Sequence, residues 1–476
     1  MTNLKSPYDA VSPMDFRYYG ADESFFSRLR PYVSEGAYVA FMAKVEAELA
    51  YALARHGVCD QSTAEKVADA CLTVTAQEIW EEEQKTQHNV RALVNCIRRR
   101  LEGDAEAQRI VHLFATSADI MDTANALRLK KLVEEVIAPD LTQLIENLIE
   151  MARREKLTRQ IGRTHGKFAE PITFGFALAL FIERLGTRLE AILEAAKNLR
   201  GKMSGAVGAY NALVLWGDRD PALFEKEFLQ RLGLHCPDSH VSSQIVIPEP
   251  VQDLAHSVIS AFTALANLAD DVRHLHRSEI LEVQESYEGD RVGSSTMPHK
   301  TNPKNFENVK SIWKAFMPRM MTVYLDGISE HQRDLTNSAS GRFIIELFTA
   351  FDYAVCRMKD ALGLLTIRRE RMRDNLDAAG SWVLAEPLYI LLATHRRDPD
   401  AYDKIRELVR LSEKHDRELS VEVQESADLQ SFLKSLPDDK RGMILDPSGY
   451  IGASVERTEA VCNYWEVRLH TLRGNA

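Results

Sequence analysis

A polar segment in the second half of the chain, Gly289–Asn305 (GDRVGSSTMPHKTNPKN), has the composition of an anion-binding loop. It shows neither a helical nor a strand period, and loops of this length between packed helices often act as lids or binding loops. The backbone N–H groups of Gly293–Ser295, the Lys300 ammonium and the Asn302 amide are all suited to holding an anion. The segment therefore predicts an anion-binding loop, with a plain flexible connection as the alternative.

The overall composition limits the classes of protein that this loop can belong to. The chain has 476 residues and a formal net charge of −11, which argues against binding to a nucleic-acid backbone. It contains no run of 18 apolar residues and no basic and apolar leader, so we expect neither a membrane span nor a secretory signal. Its six cysteines form no CxxC pair, which favours reduced thiols and a cytoplasmic location.

Long helices are the elements that must position the loop. Apolar side chains recur at steps of three and four in three stretches, and two more helices are expected after the loop. The five stretches are 133–151, 178–192, 251–275, 311–325 and 341–364. We expect Pro139 and Pro318 to distort their helices, and we expect 436–449 to be a loop. Five long helices joined by loops predict an all-α helical bundle.

The loop also carries a family signature. Gly293–Pro303 (GSSTMPHKTNP) matches every specified position of the pattern GSSxMPxKxNP, so the chain resembles the fumarase/aspartase superfamily. Further segments resemble the adenylosuccinate lyases within it, over about residues 10–365. These segments are SPMDFRYYG at 12–20, FATSADIMDTAN at 114–125, IGRTHGKFAEPI at 161–172, KMSGAVGAYN at 202–211 and RDLTNSASGR at 333–342.

The resemblance implies a fold and an assembly. The implied fold has three domains, namely an N-terminal helical domain at 1–111, a central bundle of five long helices at 112–363 and a C-terminal helical domain at 364–476. The signature loop then occupies 285–305. The resemblance also implies a homotetramer in which several subunits share each active site. It implies no cofactor, no metal, no nucleic-acid partner and no membrane.

The reaction implied is β-elimination of fumarate from adenylosuccinate to give AMP, and from succinyl-carboxamide ribotide, in purine biosynthesis. This chemistry needs a base for the carbon-bound proton, an acid for the departing nitrogen, and fixed donors for the carboxylate charge that develops. By resemblance, Ser294 is the base and His165 the acid, with Ser295 as an alternative base. A serine base must act as a stabilised alkoxide.

By resemblance, other residues have catalytic or binding roles, with His88 and Lys300 among the catalytic candidates. His88 assists His165 or contacts the succinyl part of the substrate. Lys300 and Asn302 stabilise the negative charge that develops on the carboxylate. The remaining substrate-binding candidates are Thr116, Ser117 and Gln244 for the succinyl carboxylates, Arg333, Ser338 and Arg342 for the phosphate, and Arg17 and Tyr18 for the nucleotide.

The chain departs from the family pattern at two positions, and the first of them, Asn89, leaves the exact substrate open. Asn89 follows His88 where the family has aspartate, which removes a negative charge beside the histidine, and Lys167 replaces a usual glutamine. Argininosuccinate lyase and carboxymuconate cycloisomerase share the signature loop and are alternatives within the enzyme class. A non-catalytic helical scaffold is the alternative outside it.

Overall fold

The fold is almost entirely helical. The computed structural model describes residues 12–217, 220–286 and 296–474. It is 70% helical, and the described strands form two sheets of two strands each. The prediction of an all-α fold of the fumarase/aspartase type is confirmed.

The helices follow one another with short connections. The first six are α1 (Glu23–Val33), α2 (Glu35–Arg55), α3 (Gln61–Thr73), α4 (Ala76–Thr86), α5 (Asn89–Arg100) and α6 (Ala105–Ile110). The middle of the chain contains α7 (Ser117–Leu132), α8 (Ala138–Arg154), α9 (Phe174–Lys197), α10 (Asn211–Leu215), α11 (Pro221–Arg231), α12 (Glu249–Leu275), α13 (Lys304–Phe316), α14 (Arg319–Leu325) and α15 (Ile344–Gly363). The C-terminal part contains α16 (Arg369–Ala378), α17 (Ala385–His395), α18 (Ala401–His415), α19 (Leu419–Glu425), α20 (Ala427–Ser435), α21 (Asp438–Leu445) and α22 (Ser454–Gly474).

The chain divides into two compact units. The first comprises residues 1–142, 187–266 and 309–357, and the second comprises 143–186, 267–308 and 358–476. The three-domain division at 111 and 363 is a different partition and stays a prediction.

The long helices predicted from hydrophobic period are present, and both prolines interrupt regular helix. A π-helical turn, Val133–Ile137, separates α7 from α8 just before Pro139, with the Ala138 N–H donating to the Val133 carbonyl. Because proline has no N–H to donate, the hydrogen-bond register changes at this point. Pro318 has a larger effect than the expected bend, since it begins a new helix, α14, after α13 has ended.

Aromatic and polar contacts join the long helices within the first unit. Phe262 of α12 and Phe351 of α15 meet edge to face, with ring centroids 5.5 Å apart. The Trp313 indole N–H of α13 donates to the Thr263 hydroxyl of α12 at 3.1 Å. Such pairs add directional contacts to the burial of apolar area that drives helix packing.

A β-hairpin is the main irregular feature of the second unit. Strands β1 (Arg159–Thr164) and β2 (Lys167–Thr173) pair antiparallel, and a second small sheet pairs β3 (Val283–Glu285) with β4 (Leu365–Ile367). Glu282, which is fully buried, accepts hydrogen bonds from Gln160 and Arg163 of β1, each at 2.6 Å. These charge-assisted bonds tie strand β1 of the hairpin to Glu282.

The C-terminal part of the chain differs from the sequence prediction at one place. The prediction of a loop at 436–449 is wrong, because α21 and a 3₁₀ turn, Pro447–Gly449, lie there.

Among the described residues, no individual helix has the length and apolar character needed to cross a bilayer. One pair, Arg369–Ala378 with Gly380–His395, meets that test of length and composition only when joined across an 80° bend.

Candidate active site

A polar cavity of about 530 Å³ lies in the first unit. It brings together half of the fourteen residues singled out in the sequence, from four separate stretches of chain. These seven are His88, Thr116, Ser117, Gln244, Arg333, Ser338 and Arg342. A volume of this size lies within the usual range of small-molecule sites.

One end of the cavity is formed where α7 begins. Thr116 is the N-cap of α7, and Ser117 follows it. His88, the N-cap of α5, accepts a hydrogen bond from the Arg91 N–H on Nδ1 at 3.3 Å. A neutral His88 therefore carries its proton on Nε2, which lies 3.3 Å from the Ser117 hydroxyl oxygen and donates to it. Free N–H groups and hydroxyls at a helix N-terminus suit a carboxylate.

Asn89, the departure from the family pattern, also lines this cavity. Its amide nitrogen donates to the Met121 sulfur at 3.4 Å, and its amide oxygen accepts from the Val90 N–H at 2.8 Å. An amide can donate to a thioether, whereas an ionised carboxylate cannot. The asparagine thus fits a neighbour of low polarity and leaves His88 without an adjacent acidic side chain at position 89.

The guanidinium end of the cavity is built by residues 333–342. Asp334 organises this stretch by accepting from the Thr336 hydroxyl at 2.6 Å, and that bond together with backbone N–H donors lowers the pKa of Asp334 to about 2. A 3₁₀ turn, Ser340–Arg342, follows. Arg333, Ser338 and Arg342 therefore come from one short, internally bonded segment, and their donor geometry suits a phosphate.

Gln244 is held by a loop that is tied to α7. The Val246 N–H donates to the Asp122 carboxylate at 3.0 Å. Asp122 itself lines the cavity. Burial raises the pKa of Asp122 to about 6, although the bond from Val246 and the nearby Lys202 ammonium favour the ionised form. A cavity carboxylate with a raised pKa is typical of functional sites.

A buried ion pair fixes two walls of the cavity relative to one another. Lys202 and Asp119 are both fully buried, and the Lys202 ammonium donates to Asp119. Asp119 also accepts from the Thr116 N–H at 2.7 Å, and from the N–H groups of Ser204 and Gly205 at 3.1 and 3.3 Å. One carboxylate therefore holds both the start of α7 and the loop that follows Lys202.

That loop in turn supports the one that carries Gln244. The hydroxyls of Ser204 and Ser242 are 2.6 Å apart. Gly208, at φ 75°, passes so close to Ser242 that an added Cβ would lie 2.0 Å from the Ser242 carbonyl oxygen. Only glycine fits this position, because both its backbone conformation and its surroundings exclude a side chain.

The family motifs did not identify several residues that line the cavity. For some of them, their spacing in the sequence indicates that they share one face of a helix. Ser117, Met121, Asn125 and Arg128 all line the cavity. Their spacing of four, four and three places them on one face of α7. Tyr38 of α2 lies opposite, with the Arg128 guanidinium carbon 4.5 Å from its ring centroid. No sequence pattern linked Tyr38 to α7.

His165 stands at the tip of the β1–β2 hairpin in the second unit. Thr164 pairs with Lys167, and the two residues between them, His165 and Gly166, have φ values of 54° and 75°. Two positive φ values in a two-residue connection are typical of a type I′ turn, which matches the twist of the strands. His165 is exposed, so its side chain is presented at the end of a rigid hairpin.

The other predicted residues lie elsewhere in the chain. Lys300 is exposed and Asn302 half-buried, both in the second unit. The chain just after Asn302 is held in place, because the buried Glu285 carboxylate accepts a hydrogen bond from the Asn305 side-chain amide at 2.7 Å. Tyr18 lines a second cavity of about 320 Å³ in the first unit, and the Arg17 guanidinium lies beside the Phe16 ring. Ser294 and Ser295 lie outside the described residues.

Fold and cavity together define a helical lyase, and comparison with known families agrees. A family model described as lyase matches residues 7–316, and one described as adenylosuccinate lyase C-terminal matches 329–438. The chain belongs to the adenylosuccinate lyase family and is a C–N lyase. The family match continues well beyond residue 365, where the motifs of the sequence had stopped.

Two relatives agree with the family assignment, and a solved structure shares the fold. The adenylosuccinate lyase of Pyrococcus abyssi is 33% identical over 462 residues, which are 96% of this chain and 98% of that protein. The adenylosuccinate lyase of Bacillus subtilis is 32% identical over 331 residues, which are 69% of this chain and 74% of that protein. The crystal structure of the 3-carboxy-cis,cis-muconate lactonizing enzyme from Pseudomonas putida superposes with a TM-score of 0.79 at 23% identity, covering 96% of this chain and all of that one. At that identity the likeness concerns the fold alone.

Proposed function

We propose that this protein eliminates fumarate from adenylosuccinate to give AMP, and that it acts in the same way on the succinyl-carboxamide ribotide of purine biosynthesis. One observation carries the proposal above all. A single cavity presents a helix N-terminus with hydroxyls and a histidine, and also guanidinium groups with a hydroxyl. The first set suits the carboxylates of a succinyl group, and the second suits a phosphate.

We assign the proton transfers to residues of the signature loop and to His165. Ser294 removes the proton from the carbon next to a succinyl carboxylate, and the electron pair left behind expels the nitrogen. His165 protonates that nitrogen as the C–N bond breaks, while Lys300 and Asn302 stabilise the charge on the carboxylate. His88, with its proton on Nε2, orients the succinyl part through Ser117.

We also propose a homotetramer with shared active sites, as the family resemblance implies. Among the described residues, the cavity lining comes from the first unit, whereas His165, Lys300 and Asn302 belong to the second. Apolar side chains on and near α14 are also well exposed, including Met321 at 66%, Leu325 at 64% and Ile328 at 72%. Burial of such a group by other copies of the chain is favourable. We propose that other subunits supply the proton-transfer residues.

Subunit mixing tests this arrangement. We expect His88→Ala and Ser294→Ala each to be nearly inactive alone. Hybrids formed from equal amounts should regain roughly a quarter of the wild-type sites, since each defect is absent from half of the subunits when a site draws on two chains. The measurement is the initial rate after dissociation in mild denaturant and reassembly.

The matched control for subunit mixing combines two defects in one cavity. His88 and Gln244 line the same cavity, so hybrids of His88→Ala with Gln244→Leu contain no intact cavity and should not gain activity. Light scattering of the wild type should give the mass of a tetramer. A fully active monomer would contradict the shared site.

Arg342 tests the identity of the substrate. Arg342→Ala should raise KM for adenylosuccinate roughly tenfold to hundredfold with a smaller change in kcat, because it removes charge-assisted hydrogen bonds to a phosphate far from the reacting atoms. The control is Arg109→Ala, whose guanidinium pairs with Glu106 on the surface. An unchanged KM would indicate a substrate without a phosphate, such as argininosuccinate or a carboxymuconate.

The direct assay follows AMP formation by absorbance with adenylosuccinate, beside an identical reaction with argininosuccinate. AMP formation in the first and no turnover in the second is the expected result, and the absence of AMP would refute the proposal. The proposal includes a cytoplasmic location, which is supported by the six cysteines, all present as free thiols.

A further inference from the structure

Arg128 is a buried cation in the wall of the cavity. Only 5% of its surface is exposed, and its Nε atom has no hydrogen-bond partner among the described residues. Its guanidinium stacks on the Tyr38 ring, 4.5 Å from the centroid. Both residues line the cavity, so the guanidinium lies where a ligand would be bound.

The surroundings of Arg128 do not neutralise it. Burial lowers the pKa of Arg128, and Tyr38 and Glu35 only partly oppose that effect. No carboxylate of the described residues forms an ion pair with it within 4.0 Å. Buried guanidinium groups are normally paired, because removing an isolated charge from water is strongly unfavourable. An anion bound in the cavity would supply the missing partner.

The position of Arg128 along α7 indicates which anion this is. Arg128 lies eleven residues after Ser117 on the same helix face, which corresponds to about 16 Å along the axis. It is therefore well removed from the N-terminus of α7, where the carboxylates are proposed to bind. Arg342, which is assigned to the phosphate, lines the same cavity as Arg128.

We propose that Arg128 is a phosphate-binding residue of this enzyme, acting together with Arg342 and held in position by Tyr38. It would make the cavity selective for a nucleotide over the corresponding nucleoside. This inference rests on the proposed function for the identity of the ligand. The structural feature itself, a buried guanidinium facing a cavity, does not depend on that function.

The test separates binding of the phosphate from the stability of the wall. Dissociation constants of AMP and adenosine are measured by calorimetry for the wild type, Arg128→Leu and Arg128→Lys. Arg231→Leu is the matched control, because Arg231 stacks on Tyr51 at 5.1 Å and pairs with Glu48 outside the cavity. Circular dichroism checks that each variant is folded.

We expect Arg128→Leu to weaken AMP binding roughly tenfold to hundredfold, as for the loss of charge-assisted hydrogen bonds, and to leave adenosine binding nearly unchanged. Arg128→Lys should fall between this variant and the wild type, and Arg231→Leu should bind both ligands as the wild type does. Equal weakening of AMP and adenosine would overturn the proposal, and so would an unchanged AMP affinity.

Two further outcomes are also decisive. If Arg128→Leu does not fold, Arg128→Lys alone must still reduce the preference for AMP over adenosine, and an unaltered preference would reject the phosphate contact. If the wild type produces no AMP from adenylosuccinate while AMP binding still depends on Arg128, the proposed reaction fails and the phosphate site stands.

Discussion

Ser294→Ala is expected to reduce kcat for adenylosuccinate by roughly 10²–10⁴-fold, which is the usual contribution of a group that transfers a proton in the transition state. AMP binding should change little, because the phosphate and the adenine ring of AMP contact residues other than Ser294. The loss should therefore appear in kcat and not in the affinity for product. Stopped-flow turnover and AMP calorimetry on the same preparation measure the two quantities.

Two serine variants make this result specific. Ser295→Ala should cause a smaller loss than Ser294→Ala if Ser294 is the base, and the reverse order would transfer that role to Ser295. Ser27→Ala is the control, since Ser27 is an exposed residue of α1 whose hydroxyl donates to the Ser24 carbonyl. Full activity of both loop variants would remove the basis for a serine base.

Lys202→Met is expected to destabilise the protein by about 3–5 kcal/mol, because it leaves the buried Asp119 carboxylate without its cation. Asp119 is also bonded to three backbone N–H groups, so the damage should reach the start of α7 and the loop after Lys202. Urea unfolding at a fixed protein concentration measures the loss.

The exposed pair of Lys66 and Asp104 provides the comparison. Its N–O distance is 2.7 Å, but the Lys66 side chain is 59% exposed. Solvent screens such pairs, so Lys66→Met should leave the unfolding midpoint essentially unaltered. Similar effects of the two lysine variants would mean that the Lys202–Asp119 pair has no special role in stability.

Hydrophobic period was sufficient to predict the long helices, because a stripe of apolar residues at steps of three and four requires a helix with one buried face. Proline chemistry located the breaks but not their form. Pro139 produces a π-helical turn and Pro318 a helix start, and the difference depends on tertiary packing. The 436–449 segment was misread because its prolines, glycines and aspartates outweighed the short helix signal.

The candidate site was predictable where motifs carry it and not where the fold alone creates it. His88, Thr116, Gln244 and Arg342 are distant in sequence and were grouped only by resemblance, and they line one cavity. Arg128 could have been found from its spacing with Ser117. The contact between Asp119 and Lys202, 83 residues apart, leaves no local pattern in either segment.

The type I′ turn at His165 affects which parts of this enzyme can change during evolution. The backbone of this turn sets where the His165 side chain leaves the main chain, whereas recognition is assigned to helices and loops elsewhere in the polypeptide. Changes such as Asn89 can accumulate in the walls of the cavity without disturbing His165, the proposed proton donor. The substrate can thus change while the reaction stays the same. Insertion of a single residue between Thr164 and Lys167 should impair the enzyme more than several substitutions in the walls of the cavity.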